Sequence, residues 1–304
     1  MKEDPALLVL AAGMGSRYGG LKQMDAMGPS GEWLLEYSVH DARSAGFHEV
    51  VFVVRASFAE EFSAALRQRL PADVRWRVVH QEMDRLPPGA KVPESRTKPL
   101  GTGHAIWCAS KAMERPFAVI NADDFYGRQA LCLLADWLRT AVKPDHHAMV
   151  AYALERTLSP HGSVSRGLCE IENGFLRSVR ELTGIHEAAD GTVFGEDAGG
   201  HRRTLEKDAP VSMNLWGFHP HIFAELEAQL VEFLGSMENP EKDEFYIPAA
   251  VDHLIAEGRA RVAALHTAAE WFGVTYAEDR PRVRDGIRGL VRKGDYPENL
   301  WSQQ

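Results

Sequence analysis

The sequence predicts an α/β protein in which a mixed, mostly parallel sheet carries helices on both faces. Up to about residue 145, strand-length apolar runs alternate with amphipathic helices, a pattern typical of βαβ units. The runs are apolar at every position, as expected for strands that are covered on both sides. Beyond residue 145 the strands shorten and turn-rich segments join them, which indicates a smaller strand and loop region over the sheet edge.

The first half of the chain predicts four strands and four helices. Apolar residues recur at helical spacing from Trp33 to Ala45, and Gly46 ends that helix. The predicted strands are 6–12, Val50–Val54, Val74–Val79 and Phe117–Asn121, and the other helices are Phe58–Arg69, Thr102–Met113 and Leu131–Thr140.

The second half predicts shorter strands and two further helices. A segment rich in glycine and charge, 184–203, is interpreted as a loop or hairpin insertion, and the basic cluster 280–293 as a solvated helix face or helix end. The predicted strands are Ala148–Leu154, Gly167–Glu172, Ser178–Glu181, Thr204–Leu205 and Val211–His219, and the helices are Phe223–Leu234 and Ala249–Glu257.

The loop after the first strand is the most informative segment. It is rich in small residues and glycines, and it carries Arg17 and Lys22, two cations five residues apart. Glycine lets several peptide N–H groups approach an anion, so the loop predicts a polyphosphate site. A Walker loop would need its lysine directly after the last glycine, and a dinucleotide fingerprint would need glycine at Tyr18 and an acid at Arg55. Neither pattern fits.

The run from Leu10 to Arg17, followed by Lys22, resembles the L-A-A-G-x-G-[ST]-R signature of the sugar-phosphate nucleotidyltransferases, the NTP-transferase family. The resemblance implies a Rossmann-like, GT-A-type fold and one domain over 1–304, with a nucleotide-binding half (1–145), an acceptor-binding half (146–280) and a C-terminal tail (281–304). It also implies that the loop binds the triphosphate and that Arg17 and Lys22 neutralise it as catalytic residues. The implied loop contacts are Leu10, Ala11, Ala12, Gly13, Gly15 and Ser16.

A nucleobase site is predicted past the third strand. Gly101 and Thr102 open a helix, so their peptide N–H groups are free to bind acceptors on a flat ring, although Thr102 could also cap that helix. The resemblance implies that Gln81, Gly101 and Thr102 bind the base. His104 is interpreted as a structural residue of the helix.

Two adjacent acids, Asp123 and Asp124, follow the fourth strand, where open α/β sheets bind ligands. Neighbouring carboxylates favour a cation, and Mg²⁺ prefers one or two carboxylates together with phosphate oxygens. Because consecutive residues of an extended chain face opposite sides, we expect one of the pair to dominate. The resemblance implies Asp123 as the catalytic metal ligand; the alternative is that both acids are turn residues.

Four residues of the second half match positions at which the family binds its second substrate. The resemblance implies that Gly167, Glu206, Lys207 and Asn214 bind the sugar phosphate; alternatively they are a surface ion pair and a core-edge amide. Relatives carry W-x-D-x-G-T with a second metal ligand, but Gly273 stands in that aspartate's place. Asp279 is therefore the predicted second ligand of Mg²⁺.

Composition excludes several partners. A formal charge of −9 leaves no basic excess for nucleic acid, and the N-terminal apolar run is too short for a membrane span. Cys108, Cys132 and Cys169 follow no disulfide or zinc spacing, so we interpret them as buried thiols and expect a cytoplasmic protein. The sequence is compatible with a homo-oligomer and does not decide it.

The resemblance implies Mg²⁺-dependent condensation of a nucleoside triphosphate with a sugar 1-phosphate, releasing pyrophosphate. A glutamine with peptide groups suits uridine or thymidine triphosphate. One alternative is a cytidylyltransferase acting on a phospho-alcohol such as phosphocholine, with Trp216, Trp271 and Tyr246 facing the cation. Another, raised by Gly273, is a regulatory protein that binds nucleotide sugars without catalysis.

Overall fold

The computed structural model describes residues 3–13, 25–197 and 199–302. Within them the strands are β1 (Ala6–Leu10), β2 (Val50–Val54), β3 (Trp76–His80), β4 (Phe117–Asn121), β5 (Asp124–Phe125), β6 (His146–Ala153), β7 (Val164–Glu172), β8 (Phe175–Glu187), β9 (Val193–Glu196), β10 (Arg202–Leu205), β11 (Pro210–Phe218), β12 (Arg261–His266) and β13 (Phe272–Gly273). The helices are α1 (Leu34–Ser44), α2 (Ala56–Arg69), α3 (Thr102–Cys108), α4 (Arg128–Thr140), α5 (Ile222–Ser236), α6 (Ile247–Ala256) and α7 (Asp279–Lys293).

Most predicted elements are present with small shifts at their ends. β2 and β4 begin and end where the sequence predicts, whereas α4 begins three residues before the predicted Leu131, at Arg128. The insertion 184–203 forms the end of β8 and the hairpin of β9 and β10, so the hairpin alternative is confirmed. The sequence did not predict β5, β12 or β13, whereas the basic cluster 280–293, interpreted as a helix face or helix end, lies within α7.

Eleven of the described strands form one large sheet with the order β10-β9-β8-β12-β6-β11-β4-β1-β2-β3, in which β7 pairs with β11 and β8; β5 and β13 form a separate two-stranded sheet. Strands β3, β2, β1 and β4 are parallel, as are β6 and β12. The other pairings of this sheet are antiparallel. The prediction of a mostly parallel sheet therefore holds for the first half alone, because tight turns such as Asn173–Gly174 join neighbouring strands in the second half.

Helices cover both faces of the sheet, as predicted. Alternate residues of β1 enter two different hydrophobic clusters, since successive side chains of a strand point to opposite faces. Leu7 and Val9 pack in the cluster that includes apolar residues of α1, α2 and α4. Leu8 and Leu10 pack in the cluster that includes residues of α3, α5 and α6.

The C-terminal segment, expected as a tail, is folded against the body of the protein. Val283 and Ile287 of α7 are buried in a third cluster with Tyr37 of α1 and with Phe125. A Cβ on Gly286 would lie 2.6 Å from Phe272 Cζ, so glycine lets α7 rest on that ring. This helix therefore supports the small antiparallel sheet of β5 and β13.

Two further predictions concern the burial of the cysteines and the absence of membrane-spanning segments. Cys108 and Cys169 are buried thiols as expected, whereas Cys132 is only half-buried; all three are free. In the described ranges, none of the helices has the length and apolar character required to cross a membrane.

Candidate active site

Two large cavities open at the carboxyl ends of the parallel strands, where ligands bind in open α/β sheets. The first cavity has a volume of about 600 Å³ and lies beside the ends of β1 and β3. The second has a volume of about 710 Å³ and lies beside β7, β8 and β11. Thr102, Asn121 and Asp123 line both, so the two cavities meet at these residues.

The first cavity collects most of the predicted nucleotide-binding residues. Its walls include the predicted Leu10, Ala12, Gly13, Gln81, Gly101 and Thr102. Ala11 does not line it: its side chain is buried in the core and its N–H donates to Val53 O at 2.8 Å. Gly15, Ser16, Arg17 and Lys22 lie outside the described residues.

A buried arginine holds one wall of the first cavity. Arg96 is 4% exposed, and its guanidinium donates to the carbonyls of Lys98 and Pro99, both at 2.8 Å, and of Asp243 at 2.7 Å. A guanidinium with several carbonyl acceptors joins two chain segments rigidly. The loop that leads into α3 is therefore fixed to the segment that leads into α6.

Gly101 adopts a conformation that the site requires of glycine. Its φ is +100°, and a Cβ there would lie 2.7 Å from the carbonyl oxygen of Phe245. Thr102 does not cap α3, as one interpretation held; its Oγ1 accepts the N–H of Ile247, the first residue of α6, at 3.0 Å. Both residues thus bring the starts of α3 and α6 together at the cavity.

The acidic pair lies where the two cavities meet. Asp123 lines both cavities, and Asp124 lines the second. Asp123 belongs to a turn between β4 and β5 rather than to an extended strand, so the alternation of side chains along a strand does not apply to this pair. Burial and the neighbouring Asp123 raise the pKa of Asp124, whereas Asn121, Arg166 and Tyr126 lower it.

Asp124 is held by a small hydrogen-bond network. Its Oδ2 accepts from Asn121 Nδ2 at 2.9 Å and lies 3.2 Å from the hydroxyl of Tyr126. That hydroxyl also lies 2.9 Å from the carbonyl oxygen of Met213, on the neighbouring strand β11. A buried carboxyl with such partners has a fixed orientation.

The structure accounts for glycine at position 273. Gly273 of β13 pairs with Asp124 of β5, and a Cβ at 273 would lie 2.8 Å from Asp124 Oδ1 and 2.4 Å from Trp271. The carboxylate of Asp124 therefore occupies the space next to position 273, which has no room for a side chain of its own.

Asp279 is placed differently from its predicted role as a metal ligand. It is buried at the start of α7, where Oδ1 accepts from Ser159 Oγ at 2.7 Å and Oδ2 accepts the N–H of Tyr276 at 2.9 Å. It borders a small crevice beneath Trp271 and lines neither large cavity. These contacts are those of a residue that closes a turn before a helix.

Two of the predicted acceptor-binding residues line the second cavity. Gly167 lies on β7, where a Cβ would approach Val179 Cγ2 to 3.0 Å, so glycine allows close packing at the wall. Asn214 has φ of +60° at a register shift in β11, a conformation that asparagine tolerates better than most residues. The bulge brings Asn214 to the cavity wall.

The other two do not line either cavity. Lys207 forms an exposed ion pair with Glu187 at 2.6 Å, and Glu206 is exposed beside it. Trp216, one of the aromatic residues considered for a cationic acceptor, is fully buried, whereas Trp271 and Tyr246 line the second cavity.

Arg166 and Glu181 are charged residues of the second cavity that sequence reasoning missed. Arg166 is 8% exposed; its Nε donates to Thr157 Oγ1 at 3.1 Å, and its guanidinium lies 5.1 Å from the centre of the Trp271 ring. Burial lowers the pKa of Arg166 to about 10, so it remains a cation at neutral pH. Glu181 faces the open cavity. The walls of the cavity remove part of the water around its carboxylate, which raises the pKa of Glu181, whereas the charge of Arg166 lowers it.

Two residues of the first cavity that sequence reasoning missed lie at the carboxyl ends of strands, where open α/β sheets bind ligands. Arg55 directly follows β2 and Asn121 ends β4, and both line the first cavity at the carboxyl ends of strands. Lys98 also lines it and forms an ion pair with Glu244. Among the described residues, no three His, Cys, Asp or Glu side chains gather into a metal-binding group.

Comparisons with known proteins agree with this arrangement. Residues 7–171 match the family model of the MobA-like NTP transferase domain. No curated protein is similar enough in sequence to be recognised as a relative.

Solved structures share the fold at low sequence identity. An inositol-1-phosphate CTP transferase from T. maritima is 12% identical with a TM-score of 0.64, over 96% of this chain and 98% of that chain. A UDP-glucose pyrophosphorylase complexed with UDP-glucose is 16% identical with a TM-score of 0.57, over 94% and 99%. HddC from Yersinia pseudotuberculosis is 16% identical with a TM-score of 0.57, over 93% and 99%.

The family model covers more than half of the chain, and the neighbours share its Rossmann-like architecture over nearly their whole length. The alternative of a purely regulatory protein is accordingly not favoured. The chain belongs to the family of MobA-like NTP transferase domains and is a nucleotidyltransferase.

Proposed function

We propose that the protein transfers a nucleotidyl group from a nucleoside triphosphate to a sugar 1-phosphate and releases pyrophosphate. The observation that carries this proposal is the meeting of two cavities at Asp123. A nucleotide in the first cavity and a phosphorylated acceptor in the second would bring their phosphates together there. Holding two anionic reactants in such a geometry supplies much of the rate enhancement of a transfer reaction.

In this proposal the nucleotide lies along the first cavity. Gln81, Gly101 and Thr102 bind the base, and the loop that begins at Gly13 binds the triphosphate. Arg17 and Lys22 neutralise the phosphates, a role supported by their position in the sequence signature. The contacts of Gly15 and Ser16 are proposed on the same basis.

The acidic pair fits a magnesium ion. Asp123 and the buried Asp124 both line the second cavity, and adjacent carboxylates repel each other unless a cation is near. Two carboxylates with phosphate oxygens make the oxygen donor set that Mg²⁺ prefers. Asp123 would be the principal ligand and Asp124 the second, in place of the predicted Asp279. Bound magnesium would supply positive charge to the phosphates.

The chemistry needs no base from the protein. An oxygen of the acceptor phosphate attacks the α-phosphorus, the bond from this phosphorus to the bridging oxygen breaks, and pyrophosphate leaves. A phosphate dianion is already a nucleophile, so the side chains align and neutralise the reactants. We propose that Gly167, Asn214 and Arg166 hold the acceptor; Glu206 and Lys207, which line neither cavity, are not included.

A second candidate acceptor is a phospho-alcohol that carries a cation, such as phosphocholine. Tyr246, Trp271 and the carboxylate of Glu181 all line the second cavity, and aromatic faces with a carboxylate attract quaternary amines. Sugar hydroxyls would use Glu181 as a hydrogen-bond acceptor instead. Both candidates share the nucleotide site and the transfer step.

A panel of the four nucleoside triphosphates against sugar 1-phosphates and phosphocholine tests the proposal through pyrophosphate release. Asp123→Asn should lower kcat by about 10²–10³-fold, in the range of lost electrostatic stabilisers. Asp285→Asn, at an exposed α7 carboxylate, is the matched control and should retain full activity. Equal activity of the two variants would refute the role of Asp123, and inactivity with every pair would refute the proposed reaction.

A further inference from the structure

A buried amide and a buried imidazole stand together at the wall of the first cavity. Gln81, just past β3, is 8% exposed, and His104 of α3 is fully buried. Gln81 Nε2 lies 3.2 Å from His104 Nδ1 and 3.1 Å from the carbonyl oxygen of Gly101. The chemistry of the partners decides which atom donates in these contacts.

The other ring nitrogen, Nε2, has two neighbours, the Arg85 carbonyl and, at 3.4 Å, the thiol of Cys108, and the nearer one decides the state of His104. Nε2 lies 2.7 Å from the carbonyl oxygen of Arg85, which can only accept, so Nε2 carries a hydrogen. Burial lowers the pKa of His104, and the positive charges of Arg85 and Arg96 act in the same direction, whereas the bond to the Arg85 carbonyl opposes them. The ring is therefore neutral, and Nδ1 is an acceptor.

The state of the imidazole then decides the orientation of the amide. Nδ1 of His104 and the carbonyl of Gly101 are both acceptors, so the Gln81 atom between them must be the NH₂ group. A flipped amide would press its oxygen against two acceptors and would leave that oxygen and Nδ1 of His104 without donors, while the Gly101 carbonyl would keep only the N–H of Ala105 at 3.1 Å. Both amide hydrogens are used in this way, and Oε1 receives no hydrogen bond from the described ranges. Gln81 itself lines the cavity.

We propose that His104 is a positioning residue that fixes the Gln81 amide with Oε1 toward the first cavity, so that this site selects an imide base, uracil or thymine. The inference rests on the proposed nucleotide site. An imide edge carries one N–H between two carbonyl oxygens. Oε1 of Gln81 would accept the N–H, and the peptide N–H groups of Gly101 and Thr102, which have no backbone acceptor in the described residues, suit the flanking oxygens.

The variants separate this role from a purely structural one. His104→Leu removes the acceptor at Nδ1, so the amide of Gln81 loses one of the two contacts that hold it. Its NH₂ group can then turn to the ring nitrogen of cytosine, which is an acceptor. His104→Asn can keep an acceptor oxygen near the position of Nδ1 and is the conservative control. A role in packing alone would lower activity with every base alike.

The experiment measures kcat/KM for UTP and CTP, and binding of UTP and of N3-methyl-UTP by calorimetry. We expect the wild type to favour UTP, His104→Leu to lower the UTP/CTP ratio about tenfold, equivalent to one hydrogen bond, and His104→Asn to stay within about threefold of the wild type. N3-methylation should weaken binding about tenfold or more. An unchanged ratio in the leucine variant, or equal binding of the methylated base, overturns the inference.

A spectroscopic measurement keeps the test independent of turnover and of variant folding. Long-range ¹⁵N–¹H spectra of the wild-type protein report the tautomer of His104, and the Nε2–H form is expected. A ring with hydrogen on Nδ1, or on both nitrogens at neutral pH, overturns the orientation argument. Absence of pyrophosphate release with all bases would instead refute the proposed function, while the tautomer and the binding data still decide the role of His104.

Discussion

Replacing Gly101 by alanine should destabilise the protein by an amount that the structure lets us work out. The residue has φ +100° and ψ −179°, a region occupied almost only by glycine, so any other residue there costs about 1–3 kcal/mol. The new Cβ would also lie 2.7 Å, 2.9 Å and 3.0 Å from O, N and C of Phe245. These are main-chain atoms, which cannot rotate away.

Relief of that clash must move two chain segments apart. The N–H of Gly103 donates to Phe245 O at 2.8 Å, and the N–H of Phe245 donates to Leu100 O at 2.7 Å. Weakening both bonds adds about 1 kcal/mol each, so the total loss is about 3–5 kcal/mol. Because these segments line the first cavity, the KM for nucleotide should rise as well.

Urea denaturation of Gly101→Ala and of a matched control measures the effect. Gly258→Ala is the control, because φ there is +69° and nothing lies within 4 Å of the new Cβ. It should cost only about 1–2 kcal/mol, the price of a left-handed residue without a clash. If the two variants lose the same stability within about 0.5 kcal/mol, the steric reasoning at Gly101 is wrong.

Three other substitutions test the core, the second cavity and the C-terminal segment. Burial lowers the pKa of His147 from its ordinary value near 6.5 to about 3. Between these two pH values the unfolded chain binds a proton at His147 and the folded chain does not. The free energy of unfolding should therefore decrease as the pH is lowered below about 6.5. His147→Leu should remove about 2 kcal/mol of the decrease between about pH 6.5 and 4.5, measured by urea titrations. A pH profile that is the same in the variant contradicts this. Arg166→Lys cannot bond Thr157 and Ser165 together, so the KM for acceptor should rise about tenfold with little change for nucleotide; equal effects on both KM values would contradict its place in the second cavity. Tyr296→Phe removes a hydroxyl that donates to the buried Asp41 at 2.5 Å and should lower the free energy of unfolding by about 1.5–3 kcal/mol in urea denaturation; no change would show that Asp41 does not need this donor.

The parallel half of the fold was predictable because its strands are buried on both faces. A strand such as Val50–Val54 is apolar throughout, is five residues long and consists mostly of β-branched valine, which together favour a buried strand over a helix. The short strands β5 and β13 are two residues each, too short for any periodicity, and only their pairing defines them. Only the basic face of helix α7 was evident from the sequence, because arginines are frequent in it and its buried face consists of little more than Val283 and Ile287.

In the candidate site as well, the sequence predicted positions next to strands but not contacts between distant segments. The position of residues that come just after strands, such as Gln81 and Asp123, at the cavities could be predicted because the carboxyl ends of parallel strands meet at one edge of the sheet. The ion pair of Lys207 with Glu187 could not be predicted from sequence, since it joins the end of β8 to the segment that follows β10. Arg166 is charged, and its burial beside Trp271 depends on three separate segments coming together.

The contact of α7 with the small sheet connects the end of the described chain to the acidic pair of the proposed active site. Phe125, the residue after Asp124, stacks on Phe272 at 5.4 Å and meets Tyr296 edge-on at 5.8 Å. Mutations that loosen this helix should thus reach the acidic pair without touching it. Directed evolution for thermal tolerance at residues 279–300 should therefore change turnover at the same time.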